Sequence, residues 1–197
     1  MLCINAQSQE VQLTSKIAYV QHKFPAATGP NIEVGASYKF NKNWRINMSY
    51  YTEHAKSKEV TTQIIPQRDV LNAFGVTRGS KGIKLGVGYD FAIGKNWSIL
   101  TGISVMSSNV EIITSDIKFD AIYVANGSLV SVPFPAYYAY LDYYLVGDLN
   151  IVRRLKDQHE ITLGIAFGQS PWNIDLSRFL AVQLGFNVSV FNLKGEK

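Results

Sequence analysis

The chain has a single cysteine, Cys3, among 197 residues. That excludes an intrachain disulfide and any metal site built on several thiolates. No run approaches the roughly 18 apolar residues of a membrane-spanning helix, although 47% of the residues are hydrophobic. Charged residues are few, at 17%, and the net charge of +4 is spread along the chain. Without a basic cluster, nucleic acid is not an expected partner. Neither His-Glu-x-x-His nor a phosphate-cradling glycine loop occurs, so no cofactor or metal is expected. At this length one domain is the simplest organisation.

What the chain does have is alternation. From Ile32 to Phe40 every second residue is apolar, and after Asn41-Lys42-Asn43 the pattern resumes from Trp44 to Thr52. Period two marks strands, and two strands about a tight polar turn make a hairpin. The unit recurs: Ile83, Leu85, Val87, Tyr89 and Phe91, a turn at residues 92–96, then Trp97, Ile99, Thr101, Ile103 and Val105. A third hairpin alternates from Leu141 to Ile151 and from Ile161 to Phe167, and a closing strand from Leu180 to Val190. With a first strand over about Val11 to Gln21, the count is eight strands and no helix. The connections after strands two, four and six are short. Those after strands three and five are long, His54 to Ser80 and Ser107 to Tyr138. Short and long links thus fall at opposite ends of an up-and-down antiparallel array.

Alternation alone fits a soluble lipocalin-like ligand-binding barrel as well as a membrane barrel with its faces reversed. Two features favour the membrane. The polar face is crowded with small residues, among them Gly35, Ser37, Gly82, Gly86, Gly164 and Gly185, which a narrow eight-stranded interior needs to make room for long side chains. Aromatic residues mark the strand ends beside the short turns: Tyr38, Phe40, Trp44, Tyr89, Phe91 and Trp97. At that level they form an interfacial girdle.

In pattern and topology, nearly the whole chain resembles the small OmpA/OmpX-type outer-membrane barrels. The closing strand also resembles their carboxy-terminal insertion signal, through Gln183, Gly185, Val188 and Val190. Valines stand there where aromatics are usual, and Phe191 to Lys197 continue past the usual end. The resemblance implies an all-β transmembrane barrel of eight strands in the outer membrane of a Gram-negative bacterium. Its turns would be periplasmic and short, its loops extracellular and long, and both termini periplasmic. It further implies surrounding lipid and lipopolysaccharide, and recognition by the barrel assembly machinery. Residues 1–7 read as a signal-peptide remnant or a disordered N-terminus, and 8–197 as the barrel domain.

The inward face would carry Lys16, Lys39, Arg45 and Lys84 against Glu33, Glu53, Asp90, Asp142, Asp148 and Glu160. Charges enclosed at this width need partners, and Arg45 with Asp90 is the expected pair. The network reads as a polar plug fixing strand register, or as a gate or proton path; a wide pore is not expected. Function would then lie in the extracellular loops, as a structural, adhesion or complex-forming component. Asn126-Gly127 between two β-like runs signals a hairpin there, a place for a protein partner. The alternative is a lipid A-modifying enzyme, an acyl hydrolase or acyltransferase, with His54 and Ser115 or Asp116 at the outer rim.

Overall fold

The computed structural model describes residues 9–23, 27–65, 68–115, 121–125, 128–132, 137–155, 159–172 and 178–193. Ten strands run in chain order: β1 (Gln9–His22), β2 (Ala27–Lys39), β3 (Trp44–Ile65), β4 (Arg68–Ala92), β5 (Trp97–Ser115), β6 (Ala121–Ala125), β7 (Ser128–Val132), β8 (Tyr137–Arg154), β9 (Glu160–Gln169) and β10 (Arg178–Leu193). Eight of them, all but β6 and β7, close into a barrel in which every neighbouring pair is antiparallel. Among the described residues there is no helix.

Strands form because alternation lets each side chain satisfy its own surroundings. Outward positions are apolar and exposed: Leu13 and Ile17 on β1, Ile46 and Met48 on β3, Leu85 and Val87 on β4, Leu163 and Ile165 on β9. Inward positions are buried and largely polar, from Gln12 and Lys39 to Asn187. This inverts a soluble protein. A band of exposed Leu, Ile and Val around a closed sheet would be costly in water and is favourable in lipid.

The tight turns have local causes. Asn41 accepts hydrogen bonds through its side-chain oxygen from the backbone N–H of Asn43 (2.9 Å) and of Trp44 (2.7 Å). That side chain closes the β2–β3 turn before any distant contact forms. Glycine makes room inside. A Cβ on Gly168 would lie 2.0 Å from the Phe179 ring, and one on Gly185 would lie 2.4 Å from Thr162 Oγ1 and 3.0 Å from Lys16 Cγ.

The two ends differ from the expected plan in one respect. The stretch from His54 to Ser80 is not a loop: β3 and β4 stay paired from Trp44 with Tyr89 out to Ile65 with Arg68. β5 likewise pairs with β4 as far as Ser115 with Gly75, and with β8 as far as Ile113 with Tyr137. Between β5 and β8, β6 and β7 pair only with each other, flanking Asn126-Gly127 as a separate two-stranded sheet. Residues 126–127 and the expected remnant at 1–7 lie outside the described residues.

At the seam, β1 and β10 pair with a bulge: Val11 faces Phe191 and Gln12 faces Ser189, so Val190 has no opposite number. Val190 and Phe191 are both exposed as a result. The strict alternation expected through Val190 ends at this bulge, which lets two successive side chains face outward.

Candidate functional site

All ten charged residues expected inside do face inward, and all but Lys16 and Asp148 are buried. They fall into separate layers. The first lies beside the short turns, centred on Glu160. Its Oε1 accepts from Lys39 Nζ at 2.5 Å, and its Oε2 accepts from Arg45 Nη1 at 3.1 Å and Asn187 Nδ2 at 3.0 Å. Arg45 also donates to Asp90, whose other oxygen accepts from Ser98 Oγ at 2.7 Å. Glu10 lies 3.4 Å from Lys39, and Arg154 lies 3.4 Å from Asp90 and 3.7 Å from Glu160. With Asn187 and Ser98 included, these groups come from all eight barrel strands. The layer therefore braces the barrel across its width. It floors a vestibule of about 440 Å³ that Lys42, Asn41 and Asn43 also line.

A second, smaller layer is centred on Glu33. It lies 3.3 Å from Lys16 and 3.5 Å from Lys84, and accepts from Ser49 Oγ at 2.8 Å. Across the lumen the wall is different. Ala18, Val20, Met106, Val146, Ala166, Phe179 and Ala181 pack as an apolar cluster with Tyr51 and Tyr144. Side chains fill the bore here, leaving a cavity of only about 30 Å³, room for one or two waters.

A third layer lies further out, and sequence reading located only its Glu53. Glu53 meets His22 Nε2 at 2.5 Å, with Arg78 Nε 3.8 Å away. Arg78 Nη2 donates to Tyr144 Oη at 2.9 Å, and the Tyr144 ring stacks edge-on against Phe179. His22 is buried in the lumen. Its position one residue past the expected end of β1, in phase with Lys16, Ala18 and Val20, was the available signal. Arg78 was missed because residues 54–80 read as a loop; in β4 it keeps the inward phase of Lys84 and Asp90.

Two expected members stand apart. Asp142 accepts from Ser170 Oγ at 2.8 Å, and Asp148 from Asn150 Nδ2 at 3.0 Å, but neither meets a cation among the described residues. The rim pairing of His54 with Ser115 or Asp116 finds no support. His54 faces outward and is exposed, Ser115 ends β5, and Asp116 lies outside the described residues.

Three of the aromatic residues at the short-turn end touch one another on the outer face. Trp44 meets Tyr89 edge to face with ring centroids 5.0 Å apart, and Tyr89 meets Phe91 at 4.5 Å. Tyr89 Oη accepts from Asn43, and the Arg153 guanidinium lies 5.4 Å from the Trp97 ring centre. Tyr38 and Phe40 are exposed on the same side. Of the closing-strand residues, Gln183 and Gly185 face inward, with Gln183 donating to Asn150 at 2.7 Å; Val188 and Val190 lie on the outer face or in the bulge.

A closed eight-stranded antiparallel barrel, apolar outside and filled with paired charge inside, is the fold of the small bacterial outer-membrane barrels. Among solved structures the chain is similar to Ail, the attachment invasion locus protein of Yersinia pestis. The identity is 11% and the TM-score 0.51, over 93% of this chain and 99% of Ail. Ail in complex with the heparin analogue sucrose octasulfate gives 13% and 0.50 over 93% and 98%. Neisserial surface protein A gives 12% and 0.49 over 92% and 97%. No protein-family model and no curated protein matches the chain.

Proposed function

We propose that this is an integral protein of the bacterial outer membrane, with both termini periplasmic, that works through contacts made by its projecting sheet and not by conduction or catalysis. The supporting observation is the unequal length of the strands. β2 last pairs with β3 at Thr28 and Lys56, yet β3 continues to Ile65. β9 last pairs with β8 at Gln169 and Leu145, yet β8 extends outward to Tyr137. β3, β4, β5 and β8 therefore rise beyond the barrel as a sheet. Among the described residues its two edges, Ser57 to Ile65 and Tyr137 to Tyr144, are paired on one side and have no strand on the other. Open edges are templates for strand addition. An adhesion or complex-forming partner that supplies a strand fits them. In this reading the barrel is the anchor, lipid and lipopolysaccharide surround it, and the assembly machinery inserts it by its closing strand.

Two experiments test this. With quenchers carried on lipid tails, a fluorophore at position 87 should be quenched and one at 86 or 88 should not, and Val87→Arg should cost about 2–4 kcal/mol of stability in lipid. The reverse quenching pattern would sink the membrane reading. Shortening the β3–β4 hairpin by removing residues 58–75, or deleting residues 120–131, should leave heat-modifiable migration on gels intact, because the barrel supplies its own pairing. A stoichiometric partner recovered from mildly solubilised membranes should be lost with the shortened hairpin. If the partner stays bound, the edges are not its site.

A further inference from the structure

The outer rim of the barrel is low on one side. β9 ends at Gln169, β10 begins at Arg178 and β1 ends at His22, while β3, β4, β5 and β8 rise further. At this low rim a cavity of about 280 Å³ opens across the β1–β10 seam. His22 and Phe179, both buried, form its inner wall. Gln21, Lys23, Phe167, Arg178 and Leu180 form the rest. Just below, the outward positions are apolar. Phe167 pairs with Leu180 and Tyr19 with Val182, and all four are exposed. The cavity therefore sits where the lipid belt ends, at the end of the barrel away from the short turns.

Two cations stand opposite each other there. His22 pairs with Phe179, and one step further the Lys23 N–H donates to the Arg178 carbonyl at 2.9 Å. Alternation puts Lys23 on the outward face with Gln21, and Arg178 on the outward face with Leu180. Lys23 is exposed and Arg178 half-buried. Like charges directly opposite on paired strands cost stability. Arg178 is also held by a further interaction within the protein, but both cations line the one cavity. Such a pair is relieved by an anion that both can contact, and most by one with more than a single negative charge.

We infer that this cavity binds a phosphomonoester of lipid A, the glycolipid that anchors lipopolysaccharide in the outer leaflet. A phosphomonoester carries about −1.5 to −2 charge at neutral pH and so matches two cations. The phosphodiester of an ordinary phospholipid carries only one negative charge. Lys23 and Arg178 each donate to phosphate oxygens, and the Gln21 amide adds a neutral donor. The acyl chains run down the wall over Leu180, Phe167 and Val182, which sets the phosphate at the depth of the cavity. The tall strands β4 and β5 stand on the opposite wall, which leaves this side the lower one for a bulky saccharide head. Each exposed contact is weak alone. A lipid already confined to the bilayer is presented at high effective concentration, so weak contacts are enough to select it. The inference rests on the membrane reading of the barrel but not on the partner proposed for the sheet edges.

The test uses the full chain folded in detergent micelles, with native mass spectrometry counting the lipid it retains. The probes are lipid A bearing its phosphates, the same lipid A after phosphatase treatment, and phosphatidylglycerol. The wild type should retain phosphorylated lipid A about five- to tenfold better than either other probe. Lys23→Gln and Arg178→Gln should each reduce that preference, and the double variant should abolish it. Lys81→Gln, which removes another exposed lysine of the outer wall, should leave it intact. Inorganic phosphate in excess should not displace the lipid. Without lipid A, Lys23→Gln should not lower the unfolding midpoint, because it relieves a like-charge pair. With lipid A, the wild type should gain stability that this variant lacks. Retained heat-modifiable migration shows that each variant is folded, and Lys23→Gln alone decides the matter if Arg178→Gln does not fold. Equal retention of the three probes, a preference unchanged by Lys23→Gln, an equal loss with Lys81→Gln, displacement by inorganic phosphate, or a midpoint lowered by Lys23→Gln without lipid overturns the inference. The quenching experiment at position 87 reads the membrane assignment separately, so a barrel that passes it and shows no preference loses this site alone.

Discussion

The two ends of the lumen solve the same problem differently. Beside the short turns, Glu160 and Asp90 each meet two or more cations, and the charged groups come from six of the eight barrel strands. Toward the projecting end, among the described residues, Glu53 has one histidine and one arginine at 3.8 Å, and Asp142 has only a serine and a backbone N–H. Aromatic and aliphatic packing around Phe179 supplies the rest there. The short-turn end is held by redundant charge, and the outer end by shape.

The sharpest way to break this comparison is Glu160→Gln. It removes the shared carboxylate of Lys39 and Arg45, and a disrupted buried ion pair costs about 3–5 kcal/mol. Denaturant unfolding in micelles should show a loss in that range. A loss below about 1 kcal/mol would mean that the floor does not brace the barrel.

A double-mutant cycle over Arg45→Ala and Asp90→Ala sharpens it. Asp90→Ala alone leaves Arg45 with one carboxylate. The double variant should recover about 1–3 kcal/mol relative to the sum of the singles. Strictly additive losses would show that the two side chains do not interact.

The smallest effect is expected at the other end. Glu53→Gln keeps a hydrogen-bonding group beside His22 and removes only the distant charge from Arg78, so the cost should be about 1–2 kcal/mol. Parity between Glu53→Gln and Glu160→Gln would erase the distinction between the two ends.

What could be read in advance follows from what lipid imposes. Between two membrane faces, every second residue must suit hydrocarbon, so Ile83, Leu85 and Val87 declare both the strand and its orientation. Lys84 and Asp90 are then placed inside by parity alone. Beyond the belt nothing enforces apolar outward positions, and stretches such as Thr52 to Lys58 or Gly75 to Lys81 lose the pattern while keeping the strand. Arg78 was hidden for that reason. Strand length relative to a neighbour is fixed by pairing across the sheet, which no single strand records. The layering of the lumen was equally out of reach: alternation says that Arg45 and Glu160 point inward, but only the register brings them to the same height.

The bulge at Val11 and Gln12 bears on how the ring is completed. The β1–β10 seam joins residues as distant as Gln9 and Leu193, whereas most other barrel pairings link strands consecutive in the chain. Contacts so remote carry the greatest closure entropy and form late. When the two ends meet, a slip of one position would turn a whole strand inside out. The unmatched Val190 allows only one alignment past it, so the last step of assembly has a built-in stop.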